Sequence, residues 1–169
     1  MPIDTTADQL HVALLAPEIP WNTGNIGRTC LAAGVRLHLI EPLGFSLDGS
    51  QVRRAGLDYW PRVAPCLWSD WHTFADQLPA LGEPLFFTAE AERSLWEVRC
   101  DRPTVMIFGG ESQGLPAAVR ERYSERLVSL PQSSPHVRSL NLSSCVAVAV
   151  YEALRQRSAS AACRGRVSR

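Results

Sequence analysis

The chain has 169 residues, 46% of them hydrophobic and 20% charged, and its 17 basic side chains are balanced by 17 acidic ones. That balance fits one soluble globular domain with a sizeable core, and it lacks the strongly basic footprint of a nucleic-acid module, although clustering of charge matters more than its sum. With no apolar run of about 18 residues, no membrane span is expected, and Asp4 and Asp8 without an apolar stretch argue against a signal peptide.

Taken in order, Leu10 to Ala16 reads as a strand, punctuated by Pro17, Pro20 and Gly24, and Ile26 to Ala33 as a helix stopped by Gly34. Leu37 to Ile40 is a second short strand, Ser50 to Leu57 a short basic helix, Trp68 to Leu78 a further helix and Pro84 to Thr88 a third strand. Thr104 to Phe108, β-branched and apolar, is the clearest strand, broken at Gly109-Gly110. Leu115-Pro116 opens another helix, since proline is tolerated in a first turn, and Arg126 to Leu130 is a further strand. Leu142, Val146, Ala149, Val150 and Ala153 recur at helical steps, with Ser139 or Asn141 placed as N-cap. Residues 1–157 form the single domain, and 158–169, rich in Ser, Ala and Arg, are expected to be a disordered tail. Strands alternating with helices predict an α/β fold with a mostly parallel sheet.

The cysteines at 30, 66, 100, 145 and 163 are odd in number and share no CxxC spacing, so they read as free thiols of a reducing cytoplasm. His11, His38, His72 and His136 form no HxxxH or HxH pair, and no metal site is expected. Every basic residue is Arg; a guanidinium fork suits phosphate, and a compositional bias of the genome accounts for the pattern as well.

Three strand-to-helix loops concentrate Gly, Asn, Ser and Arg, at the junctions where α/β proteins build ligand sites. The first, Pro17 to Thr29, holds Asn22, Gly24, Asn25, Gly27 and Arg28; read blandly, Asn22 or Thr23 caps a helix and Arg28 is a surface residue. The second, Phe108 to Pro116, has a P-loop's glycine interval, but Leu115-Pro116 stands where Lys and Ser/Thr are required, and it is no GxGxxG fingerprint. Its glycines suit close backbone approach to a flat ligand, with Glu111 as an isolated acid. The third, Val137 to Ser144, leads into the last helix, whose N-terminus favours electron-rich ligands.

Together these motifs (Asn22 with Arg28; Phe108-Gly109-Gly110-Glu111 with Gly114-Leu115-Pro116; Ser139-Leu140-Asn141-Leu142-Ser143) resemble the SPOUT (α/β-knot) 2′-O-ribose methyltransferases. Glu18 to Ile26, Ile40 to Phe45 and Arg53 to Tyr59 narrow the resemblance to the subfamily that methylates the wobble ribose of the tRNA anticodon, over roughly Val12 to Gln156. The resemblance implies a C-terminal trefoil knot, which rules of connectivity would not produce, and an obligate homodimer that supplies the tRNA anticodon stem-loop surface from two catalytic domains. It implies S-adenosyl-L-methionine as cofactor, held at Thr88, Gly109, Leu130 and Ser139 with Leu140 and Ser144 beside them.

For the chemistry, the resemblance carries over Asn22, Arg28, Glu111, Ser139 and Asn141. Arg28 is expected to clamp a phosphate and the developing alkoxide, because a guanidinium has no acceptor and does not lose its proton in proteins. Glu111 would orient Arg28 or the dimer partner, and Asn22 and Asn141 would hold loops or substrate. Arg53 and Arg54 are candidate tRNA contacts or a solvated helix face, and Arg138 is expected to face RNA. Trp21 and Gly110 replace commoner prolines, and Ser112-Gln113 replaces a Thr-Arg pair. Methylation at another tRNA or rRNA position, a non-catalytic RNA-binding dimer and a different nucleotide-binding protein are the alternatives.

Overall fold

In the computed structural model, residues 10–47 and 59–167 are described. Arg53, Arg54 and the expected Ser50–Leu57 helix lie outside the described residues. The strands are β1 (Leu10–Leu15), β2 (Arg36–Ile40), β3 (Cys66–Trp68), β4 (Glu83–Phe87), β5 (Thr104–Phe108) and β6 (Leu127–Val128). The helices are α1 (Pro20–Ala33), α2 (Trp60–Val63), α3 (Trp71–Ala75), α4 (Leu78–Leu81), α5 (Ala117–Arg122) and α6 (Leu142–Val167).

The six strands form one sheet in the order β3-β2-β1-β5-β4-β6, and every pairing is parallel. A parallel sheet is covered on both faces, so its strands read as continuous apolar runs, as β1 and β5 do with every residue buried. Alternation along each strand divides the core in two. Val12, Leu14, Leu37, Leu39, Met106 and Phe108 meet Ile26 and Cys30 of α1 and Val146, Ala149, Val150 and Ala153 of α6 on one face. Ala13, Leu15, Ile40, Phe86, Val105 and Ile107 meet Phe74, Leu78, Leu81 and Val119 on the other.

That second face also holds a buried polar chain. Trp68 Nε1 donates to His38 Nδ1 at 3.1 Å, which leaves His38 Nε2 as the protonated nitrogen facing His11 Nδ1 at 2.9 Å. Burial, with Arg36 nearby, pushes both imidazoles well below their ordinary range, His11 to about 4. Of the described cysteines, Cys30 and Cys100 are buried, and burial pushes the Cys30 thiol up to about 12.

Several boundaries differ from expectation. Helix α1 begins at Pro20, ahead of Ile26, so Asn22 and Thr23 lie inside it instead of capping it. The span 68–78 divides into the end of β3 and two short helices, with Asp70 accepting from Thr73 N as the cap of α3. Helix α6 continues to Val167, past the expected domain end at 157. Among the described residues no helix is long and apolar enough to cross a membrane.

Because all strands point the same way, the loops after β1, β4, β5 and β6 emerge at one edge. The strand order reverses between β1 and β5, the place where open parallel sheets leave a crevice.

Candidate active site

At that edge lies a cavity of about 610 Å³. Its walls come from the loop after β4 (Thr88, Ala89, Glu90), the loop after β5 (Gly109 to Leu115) and the loop between β6 and α6 (Leu130, Gln132, Arg138 to Leu142). Ile19 and Asn22 of the first loop complete it, with Phe87, Phe108 and Val128 at the strand ends.

The loop after β5 is folded tightly on itself. Gly114 N donates to Gly110 O at 2.8 Å, and Gly114 has φ 66°, where glycine carries no steric penalty. A Cβ at Gly109 would sit 2.0 Å from the Gly114 carbonyl carbon, so no larger residue fits.

Glu111, half-buried, is the hub of the site. Its Oε2 accepts from Glu18 N at 2.8 Å, and its Oε1 accepts from Ile19 N at 3.3 Å and Asn22 Nδ2 at 2.9 Å. Helix α1 has no acidic residue in its first turn and no capping side chain of its own. A carboxylate from a distant part of the chain meets the N–H groups at its start, where negative charge is favoured. Asn22 Oδ1 then accepts from Asn141 Nδ2 at 3.0 Å, and Asn141 Oδ1 accepts from Ser143 N at 2.8 Å and Ser143 Oγ at 2.7 Å. Asn141, not Ser139, is therefore the cap of α6. Because Glu111 is acceptor-only when ionised, it fixes which way both amides point.

The expected site residues are distributed as follows. Asn22, Glu111, Ser139 and Asn141 line the cavity, as do Thr88, Gly109, Leu130, Leu140 and Arg138. Ser144 is exposed and is not among the lining residues, a place taken by Cys145 one position on. Arg28 does not line the cavity either: it is exposed on α1, its guanidinium 4.8 Å from the centroid of the Tyr59 ring. Glu111 thus orients Asn22, while Arg28, one of the two partners expected for it, lies over Tyr59. Sequence reading passed over Glu18, Glu90, Arg120 and Gln132. Glu90 and Arg120 form an ion pair and both line the cavity, yet they are far apart in the chain and belong to no motif.

A cavity whose lining combines Phe87, Phe108, Leu115, Val128 and Leu130 with the glycine loop and the carboxylates of Glu90 and Glu111 suits a flat heterocycle with a charged tail. The bare Cα atoms of Gly109 and Gly110 are met by the backbone of Gly114 and Ala16, so this wall is packed from behind. S-adenosylmethionine, with its purine, ribose and zwitterionic methionine, has that chemistry, and the residues present fit it.

Comparison with known proteins agrees with this geometry. A profile of the SpoU rRNA Methylase family matches residues 9–151. A protein of Burkholderia ambifaria named tRNA (cytidine(34)-2'-O)-methyltransferase is 47% identical over 148 residues, covering 86% of this chain and 94% of its own. A solved structure described as "Structural insights into the 2-OH methylation of C/U34 on tRNA" superposes with a TM-score of 0.83 at 45% identity, covering 90% of this chain and 98% of that one. An AdoMet-bound rRNA methyltransferase from Sinorhizobium meliloti superposes with a TM-score of 0.69 at 25% identity, covering 90% of this chain and 58% of that one.

Proposed function

Because the chain belongs to the SpoU rRNA Methylase family, we propose that it transfers a methyl group from S-adenosylmethionine to the ribose 2′-oxygen of the wobble nucleotide, cytidine or uridine 34, in the tRNA anticodon loop. The observation that carries this reading is the polarised chain Ser143–Asn141–Asn22–Glu111 running along the wall of a cavity fit for the cofactor.

When bound, the cofactor supplies an electrophilic methyl group on a sulfonium. Thr88, Gly109, Leu130, Ser139 and Leu140 are the residues that would hold it. Transfer to a hydroxyl is largely a matter of holding the oxygen in line, and fixed orientation removes much of the entropic barrier. Both Glu111 oxygens already accept hydrogen bonds from the first loop. With both oxygens committed to those donors, Glu111 acts as an orienter and not as the proton acceptor. Asn141 spends one Nδ2 hydrogen on Asn22, and the second, with the Ser139 hydroxyl, is assigned to the ribose hydroxyls. Arg138 on the same rim is assigned to a neighbouring phosphate.

The reading includes a homodimer. Exposed Trp21 on α1 and exposed Val148 and Tyr151 on α6 give these two helices apolar outer positions of the kind that a second copy covers. Arg28 belongs to the same exposed side of α1, outside its own cavity, and we assign it to the partner's cavity, as clamp on phosphate and alkoxide. A trefoil knot is also part of the reading. In its support, Ser129 runs between Arg93 and Leu95, and Gln156 and Arg157 of α6 reach back to the backbone at Val98, Cys100 and Arg102. A tRNA substrate implies the cytoplasm.

The test is methyl transfer from labelled S-adenosylmethionine to tRNA lacking the modification, with the product mapped by nuclease digestion and mass spectrometry. Label in a 2′-O-methylated wobble nucleotide is expected; label at another position discards the substrate assignment, and absence of label from every RNA offered discards the activity. Co-expression of Arg28→Ala with Glu111→Ala tests the crossed Arg28. Each variant alone is inactive, and random pairing of symmetric dimers restores about a quarter of wild-type activity. No restoration places Arg28 in its own subunit's site.

A further inference from the structure

The segment 16–19 between β1 and α1 is gripped from two sides. Gly44 N donates to Pro17 O at 2.9 Å, and a Cβ on Gly44 would lie 2.7 Å from the Glu18 Cα. Opposite, a Cβ on Gly110 would lie 2.5 Å from the Ala16 carbonyl oxygen and 2.8 Å from Glu18 Oε1. The Glu18 carboxylate therefore rests against the bare Cα of Gly110. There its Oε1 accepts from Ser112 Oγ at 2.6 Å and from Ser112 N at 3.2 Å.

Glu111, the residue between them, sends its own carboxylate the other way, to the backbone N–H groups of Glu18 and Ile19. Each of the two acids thus accepts from the backbone of the other's loop, Glu111 from Glu18 and Ile19 and Glu18 from Ser112. Glu111 fixes the start of α1; Glu18 fixes the turn of the loop after β5. Glu18 is not among the residues lining the cavity, whereas Gly109 to Leu115 form one of its walls.

We propose that Glu18 is a positioning residue for cofactor binding: through Ser112 it holds the 109–114 backbone in the conformation that receives S-adenosylmethionine. The inference rests on the reading of this cavity as the cofactor site. Its physical basis is pre-organisation, since a loop already held in its binding conformation loses less entropy when the ligand arrives. The hydroxyl bond to a carboxylate belongs to the stronger, charge-assisted class. Glu18→Ala removes the one oxygen that accepts from both Ser112 donors while leaving the Glu18 N–H to Glu111 in place. Glu18→Gln keeps an amide oxygen that accepts from both Ser112 donors.

Calorimetric titration of S-adenosylmethionine into the full chain, without RNA, is the test, run on wild type, Glu18→Ala, Glu18→Gln, Ser112→Ala and the Glu18→Ala/Ser112→Ala pair. Glu18→Ala is expected to raise the cofactor Kd about tenfold and Ser112→Ala about threefold, with the pair no weaker than Glu18→Ala, as coupled residues behave. Glu18→Gln stays near wild type, and kcat at saturating cofactor changes little in any of them. Unchanged affinity in Glu18→Ala overturns the inference, as do penalties that multiply in the pair. A parallel fall of kcat, affinity and Tm that Glu18→Gln shares would show a merely structural role and overturn it too. Wild-type protein that binds no S-adenosylmethionine overturns the cofactor reading itself, and this inference with it.

Discussion

Two walls of the same cavity are built in opposite ways. The loop 109–114 is tied to the first loop through the carboxylates of Glu18 and Glu111, and Gly109 and Gly110 pack against backbone at distances no side chain tolerates. The loop 131–141 is exposed at every residue, and its described side-chain ties to the rest of the site come at its end, from Asn141 to Asn22 and Ser143 and from Cys145 to the Leu140 carbonyl. One wall is pre-formed and has little freedom to lose on binding. The other keeps its polar groups in solvent, where Gln132, Arg138 and Ser139 remain available to a large ligand. A rigid wall suits a small, constant cofactor, and an open one suits RNA.

Breaking the rigid wall at its hub gives the largest effect. Glu111→Ala strands three donors and frees the Asn22 amide, so kcat/KM is expected to fall about 10²- to 10³-fold, as for other pre-organised polar groups at an active site. A loss of less than tenfold would mean that the amide chain orients itself without the acid. Gly109→Ala comes next: overpacking of this kind costs about 3 kcal/mol. It should lower Tm and cofactor affinity together. Normal Tm with normal affinity would show that the loop 109–114 yields, contrary to its description as pre-formed.

On the open wall, Asn141→Ala removes the cap of α6 and the bond to Asn22. The cap is worth about 1 kcal/mol, and methylation is expected to fall about tenfold with cofactor affinity little changed. A drop in cofactor affinity matching that of Gly109→Ala would erase the contrast between the walls. The smallest effect, absent at neutral pH, comes from His11 and His38 on the far core face. Both have folded pKa values below the unfolded 6.5, so they stay neutral where the unfolded chain takes up protons. Stability is then undiminished above about pH 6.5 and declines as pH falls towards 4. A Tm-against-pH profile should show this acid slope in Glu111→Ala as in wild type, and should lose it in His11→Leu/His38→Leu.

The comparison also separates what was legible in advance. Residues whose chemistry is local could be read: the glycines of the second loop, Asn141 next to a helical apolar stripe, and the β1 and β5 runs. The start of α1 could not, because Ile19 offers no capping side chain and the acid that meets its N–H, Glu111, lies 92 positions away. For the same reason the role of Glu18 was not legible beyond its place in the motif, its partner Ser112 being 94 positions distant. Arg28 belonged to the right motif, yet helical phase puts it on the outside of α1, over Tyr59. The span 68–78 looked like one helix by its apolar content; β3 reaches into it because Trp68 pairs in register with Ile40.

Sequence by itself determined the α/β class, the parallel sheet and the family, since hydrophobic period and motif order are properties of neighbours along the chain. Tertiary structure decided which loops share a cavity, the direction of every amide in the Asn141–Asn22–Glu111 chain and the reciprocal hold of Glu18 and Glu111. Those depend on strand order, on the glycine contacts that let backbones touch, and on donors and acceptors that meet only when β1 and β5 lie side by side.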